Sequence, residues 1–268
     1  MAHLRKSEDR EHAKKQLQDR ISSFLSDFSV QLREVAEALP AIFEASCYIS
    51  FVRYYSSDES IELRCENLID GHFRFRTTTN SFPWRYSFFT ALRRCQDDQK
   101  DPLFEIRHNQ QVAGAWTEKV KAGSTPPLFA VDVAVLEIGA LPHLPFGQTT
   151  GPKWVQNSQL ITFGEAKMLT AYPMLIAQFF GVVHEVAPAC VGRTRRRRGV
   201  AIFVRPTHPH PPPVLFLAGT VSKGAGPCID SLYRRKCEFR VVANVIDSDW
   251  SKVLNQFCDP SGWKAVKS

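Results

Sequence analysis

Apolar residues recur every three to four positions near the start of the chain, at Leu17, Ile21, Phe24, Leu25 and Phe28, then Leu32, Val35 and Leu39, on a charged background. That period predicts one or two amphipathic helices within residues 11–45, an N-terminal helical segment (1–45) whose apolar side packs on the remainder. Heptads are not sustained, which weakens a coiled-coil reading and leaves a homodimer open. Farther on, the period shortens. "CYISFVRYY" and "IELRCENLI" predict strands around the polar turn "SSDES", and "HFRFRTTT" alternates Phe73 and Phe75 with Arg74 and Arg76, a strand with one basic face. "YSFFTALRRCQ" predicts a short helix with Ser87 at its N-cap.

Strand patterns dominate from there. "LFEIRHNQQV", "PLFAVDVAVLEIG" and "QLITFGEAK" predict three strands, "AYPMLIAQFFGVVHEV" a helix, and "GVAIFVRP" a further strand. Val131, Val133 and Val135 alternate with Asp132, Ala134 and Leu136, so the second strand is apolar on both faces except at Asp132, as a central strand covered by helices must be. "GRTRRRRG" and "RPTHPHPPP" predict loops, the first by charge repulsion and the second by its prolines. "VLFLAGTVS" and "EFRVVANVI" add strands, and "DWSKVLNQF" a short helix. No internal repeat or composition shift marks a second domain, so residues 46–268 are expected to form one α/β domain around a mixed central sheet.

Composition narrows the class. The chain has 268 residues, 44% hydrophobic and 23% charged, enough to bury a core. No run of about 18 apolar residues is present and the first residues are charged, so an intracellular, cytoplasmic protein without a membrane partner is expected, nuclear if the chain is eukaryotic. Seven cysteines with no CxxC pair are expected to be reduced structural thiols. A formal charge of +7 favours a polyanionic partner.

Charged residues inside apolar strands are the candidate chemistry. Glu165 and Lys167 stand two apart on a predicted strand and leave the sheet on one face. Asp132, on the preceding strand, can join them if the two strands pair. Gly164 and Ala166, on the opposite face, let a helix lie close behind. Two carboxylates with solvent oxygens suit a hard cation such as Mg2+ or Mn2+, and a lysine beside them can stabilise charge on a phosphoryl group.

At these residues the sequence resembles the PD-(D/E)xK nuclease superfamily, the restriction-endonuclease-like fold. That family carries an acid on the second core strand and E-x-K or D-x-K on the third, within a core of helix, three strands, helix and strand. The match is Asp132 in "FAVDVAV" and Glu165 with Lys167 in "FGEAK", over residues 87–205. The resemblance implies a Mg2+-dependent endonuclease with Asp132, Glu165 and Lys167 catalytic, acting on DNA ahead of RNA in defence or repair. Val131 stands where the family often has proline. Many members add a glutamate from the first helix, which "YSFFTALRRCQ" lacks; Glu105 is the nearest substitute as a metal ligand.

His108, Gln178 and Tyr172 are candidate supporting groups, each with a plain structural alternative. Arg74, Arg76 and Arg85, interleaved with aromatics, and Arg193 with Arg195, Arg196, Arg197 and Arg198 are candidate nucleic-acid contacts; the latter run also reads as a localisation tract. No helicase motif or phosphate loop is present, so a motor or sensor would be a separate protein. The alternatives are a catalytically silent nucleic-acid-binding module on the same fold, and an interaction protein that uses its N-terminal helices.

Overall fold

The computed structural model describes residues 7–32, 38–94, 100–115, 126–145, 147–191, 193–197, 200–204 and 210–265. Helix α1 (Ser7–Ser26) turns Ala13, Leu17, Ile21, Phe24 and Leu25 inward, the face its period announces. Strand β1 (Gln31–Leu32) follows, and then helix α2 (Leu39–Ser56), with Pro40 in a first turn whose N–H groups have no intrahelical partner to lose. Here the expectation fails, because "CYISFVRYY" is helical and not a strand. Eleven side chains between Ile42 and Tyr55 are buried, since α2 lies between α1 and the sheet. A helix covered on both sides needs no polar face, so it leaves no amphipathic period to read.

Strand β2 (Ile61–Glu66) leads to β3 (His72–Phe73), which pairs with β1 in a small parallel ladder. Beyond it "YSFFTALRRCQ" forms strand β4 (Phe88–Arg93), not the expected helix. Phe88 to Leu92 are all buried; Phe89 stacks near Phe24 and Phe28, while Phe88 lies under Arg107 on the other face. With both faces covered, alternation disappears.

The long strands β5 (Asp101–Ala113) and β6 (Leu128–Glu137) pair antiparallel. Then come β7 (Trp154–Val155), β8 (Leu160–Lys167) and helix α3 (Pro173–Val186). Strand β9 (Arg193–Arg197), expected as a loop, pairs with β10 (Val200–Val204) in a separate two-stranded ladder. "GVAIFVRP" therefore does not supply the core strand after α3. That place belongs to β11 (Val214–Leu217), which runs parallel to β8. Helix α4 (Ala225–Arg234), strand β12 (Arg240–Val242) and helix α5 (Trp250–Cys258) follow.

The main sheet has the order β12-β11-β8-β6-β5-β4-β2, with β7 beside β5; β12, β11 and β8 are parallel and the others along this order antiparallel. Helices cover both faces. One core joins α1, α2 and α5 to Val133, Val135, Phe216 and Val242; the other joins α3 and α4 to Ala134, Leu136, Phe163 and Leu215. Gly164 allows the first layer its close approach, because a Cβ there would lie 2.6 Å from the Phe51 ring of α2. Cys47, Cys65, Cys190, Cys228 and Cys258 carry free thiols, and Cys95 lies outside the described residues.

Candidate active site

The ladder between β6 and β8 ends at Val133 and Gly164. One step farther in that register, Asp132 stands across from Glu165, and there the strands part. The Ala166 N–H, which a regular ladder would give to a carbonyl, donates instead to Asp132 Oδ2 at 2.7 Å. On the other edge of β6, at the same level, Asn109 has a left-handed backbone (φ 56) and its pairing lapses as well. Asp132 therefore sits where the sheet opens.

Lys167 closes the cluster. Its Nζ donates to Glu165 Oε2 at 2.7 Å and lies 3.8 Å from Asp132 Oδ2, so one ammonium serves both carboxylates. Glu165 is 7% exposed, and its second oxygen, Oε1, is buried without a hydrogen-bond partner among the described residues. Burial raises the Glu165 carboxyl, Asp132 raises it further, and Lys167 opposes. Burial also raises Asp132, against Lys167 and the Ala166 N–H. Burial alone would pull Lys167 down, but Glu165 and Asp132 together hold it above its ordinary value.

A fourth group comes from α2. The half-buried Glu44 is pushed up to about 7, first by burial and next by Asp132, with Lys167 acting in the other direction. Glu44 falls within the segment expected to be helical (11–45) but is not among the expected site residues. A usable signal was present: in "LPAIFEASC" Glu44 is a lone acid within an apolar run, the same mark that singled out Asp132.

The remaining candidates lie elsewhere. Glu105 is not a third ligand of this cluster. It is level with Leu136, four residues along β6 from Asp132, and both its oxygens are engaged, by Arg107 Nε at 2.6 Å and His143 Nε2 at 2.8 Å. His108 is a core residue, enclosed by Tyr48 and Phe75, with Nδ1 donating to the Arg76 carbonyl; burial pushes it down to about 4. Arg76 is buried too, bonded to the carbonyls of Thr78, Thr79 and Ser81 and to Gln110 Oε1, so it braces a turn and faces no phosphate. Arg74 and Arg85 are half-buried over the Tyr86 and Phe82 rings. Tyr172 and Gln178 are exposed at the start and on the outer side of α3, and neither bonds to the trio. Arg193, Arg195, Arg196 and Arg197 lie on β9, and Arg198 is outside the described residues.

Among the described residues no group of three or more His, Cys, Asp or Glu side chains is spaced to hold a metal ion, and no helix is long and apolar enough to cross a membrane. The donor set at the parted strands is two carboxylates, with Glu44 in electrostatic reach. The chain matches no known family, no curated protein and no solved structure.

Proposed function

We propose that the protein is a metal-dependent phosphodiesterase of the PD-(D/E)xK class, an endonuclease on nucleic acid. The observation that carries this reading is the convergence of Asp132 and Glu165 on Lys167 where β6 and β8 separate, with Glu165 Oε1 left unpartnered. Two features support it. The order β5-β6-β8-β11, with α2 against one face and α3 against the other, is compatible with the helix, three strands, helix and strand that the resemblance implies, if α2, separated from β5 by β2, β3 and β4, takes the place of the helix expected at residues 87–96. On this reading Glu44 of α2 stands in for the first-helix glutamate that "YSFFTALRRCQ" lacks.

The residues fit a hard cation. Crowded carboxylates whose ionised forms burial disfavours, one with a bare buried oxygen, are relieved by an ion that accepts one or two acids and keeps its own water. Asp132 and Glu165 would hold it, and when bound it would neutralise charge on a phosphoryl oxygen and acidify a water.

In hydrolysis a water oxygen forms a bond to phosphorus as the bond to the leaving oxygen breaks; one proton leaves the water and another reaches the leaving group. The Lys167 ammonium lies beside both acids, where it orients the water and stabilises charge gathering on the phosphoryl oxygens. Glu44, poised at about 7, can take up a proton at neutral pH.

The test is incubation with supercoiled plasmid, linear duplex, single strands and RNA, in Mg2+, Mn2+ or chelator. Cleavage that needs the ion and is abolished in Asp132→Asn and Lys167→Ala is expected. Binding without cleavage in every ion would leave the silent binding module as the function. Near-normal cleavage by Lys167→Ala would remove that residue from the mechanism.

A further inference from the structure

Among the described residues, the non-glycine residues with a left-handed backbone are Ser29, Asn67, Asp70, Asn109, Lys236 and Asn244. The others stand in turns or links between elements, and Asn109 alone lies within a strand, β5. That backbone is unusual inside a strand, and outliers of this kind gather at functional sites.

Asn109 is level with Asp132. His108 pairs with Val133 and Gln110 with Val131, and between these two pairs each strand has one residue. Both strands change face at this level. Val133 and Val135 pack in the core of α1, α2 and α5, whereas Val131 packs in that of α3 and α4; on β5, Phe104 and Ile106 belong to the first core and Val112 to the second. Residues an even number apart share one face of a regular strand, so the change falls between Ile106 and Val112 on β5 and at Asp132 on β6. Asn109 stands inside the first interval.

Its side chain is 9% exposed. Asn67, also left-handed, donates its carboxamide to the carbonyls of Trp84 and Tyr86 at 2.7 and 2.9 Å. No such bond holds the Asn109 carboxamide among the described residues. Glycine would meet the need for a left-handed backbone, so a buried amide there calls for a partner of its own. The carboxylates of the site lie at the same level: β5, β6 and β8 are neighbours, and two strand spacings, roughly 10 Å, cover Asn109, Asp132 and Glu165. An amide oxygen is an ordinary ligand of a hard cation. It also adds no charge where Asp132 already raises Glu165.

Resting on the metal-dependent reading above, we propose that Asn109 Oδ1 is a further protein ligand of the cation held by Asp132 and Glu165. The ion is then bound from three adjacent strands, at the level where the pairing of β6 lapses on both its edges. Two carboxylates and one neutral oxygen leave room for the waters that Mg2+ and Mn2+ keep.

The experiment is calorimetric titration of Mn2+ into wild type, Asn109→Gly and Asn109→Asp, with a thermal melt of each. Glycine keeps the left-handed backbone and removes the carboxamide. Asn109→Gly is therefore expected to melt no lower than wild type and to bind the ion at least about tenfold more weakly, a loss seen even for groups that only support a ligand. Aspartate tolerates the same backbone and keeps an oxygen, so Asn109→Asp should bind within about threefold of wild type. A second measurement needs no variant to fold: in isotope-labelled wild type, the side-chain amide resonances of Asn109 should shift as Mg2+ is added and then saturate. Resonances that stay in place, or a loss in Asn109→Asp as large as in Asn109→Gly, would overturn the proposal. Binding by wild type that Asn109→Gly retains in full would remove Asn109 and leave the metal-dependent reading standing. No binding by wild type would remove both.

Discussion

Two buried glutamates on the same sheet have opposite surroundings. Glu105, on β5, is 1% exposed and both its oxygens are used, one by Arg107 and one by His143; Arg107 in turn lies 3.7 Å over the Phe88 ring. Glu165, on β8, is 7% exposed and shares a lysine with a second carboxylate, while Oε1 has nothing. The first arrangement is complete within the chain. The second leaves charge crowded and an oxygen unsatisfied, a cost the fold carries without structural return, and such places are where function is sought.

If the contrast holds, the two sites answer mutation with opposite sign. Glu105→Ala leaves the Arg107 guanidinium buried without its carboxylate and is expected to cost about 3 to 5 kcal/mol in urea unfolding. A cost near zero would mean that Glu105 is not the anchor described.

His108 is an intermediate case: among the described residues its Nε2 is buried and unpartnered, yet the ring is closed in by aromatics and lies near the Arg76 cation, not a carboxylate cluster. Its folded value near 4 lies below the ordinary 6.5, so between these values the unfolded chain binds the proton that the fold refuses. His108 therefore costs nothing above pH 6.5 and takes away stability as pH falls toward 4, by roughly 2 to 3 kcal/mol at pH 4.5. The difference between wild type and His108→Gln, measured at pH 7.5 and 4.5, should shift in favour of the variant by that amount. A pH-independent difference would place the histidine in a wetter setting.

The smallest effect belongs to Glu165. Its carboxyl is raised in the fold, so the folded state favours the protonated form, and its ionisation destabilises as pH rises from about 4.5 to about 7 and no further above that. Glu165→Gln should gain roughly 1 kcal/mol at pH 8 and almost nothing at pH 4.5. A loss at pH 8 would make its link to Lys167 a structural salt bridge.

Which parts of this were legible in the sequence depended on burial. Asp132, Glu165 and Lys167 could be read because β6 and β8 have apolar runs in which a charge stands out. α3 could be read because one side is wet: Met174, Ala177 and Gln178 are exposed while Leu175, Ile176 and Phe179 are covered. α2 and β4 were misread for the same reason in opposite directions. Both are covered on two sides, so neither carries a period, and composition then favoured aromatics as strand in α2 and Ala91 with Leu92 as helix in β4. The partnering of Glu105 was hidden because His143 reaches it from a loop 38 residues away.

The most direct test of the central claim is calorimetric titration of Mn2+ into wild type, Asp132→Asn, Glu165→Gln and, as a control at the satisfied glutamate, His143→Ala. Wild type and His143→Ala should bind the ion alike, and both site variants should lose binding. Equal binding by all four proteins, or none by wild type, would contradict a metal site at Asp132 and Glu165.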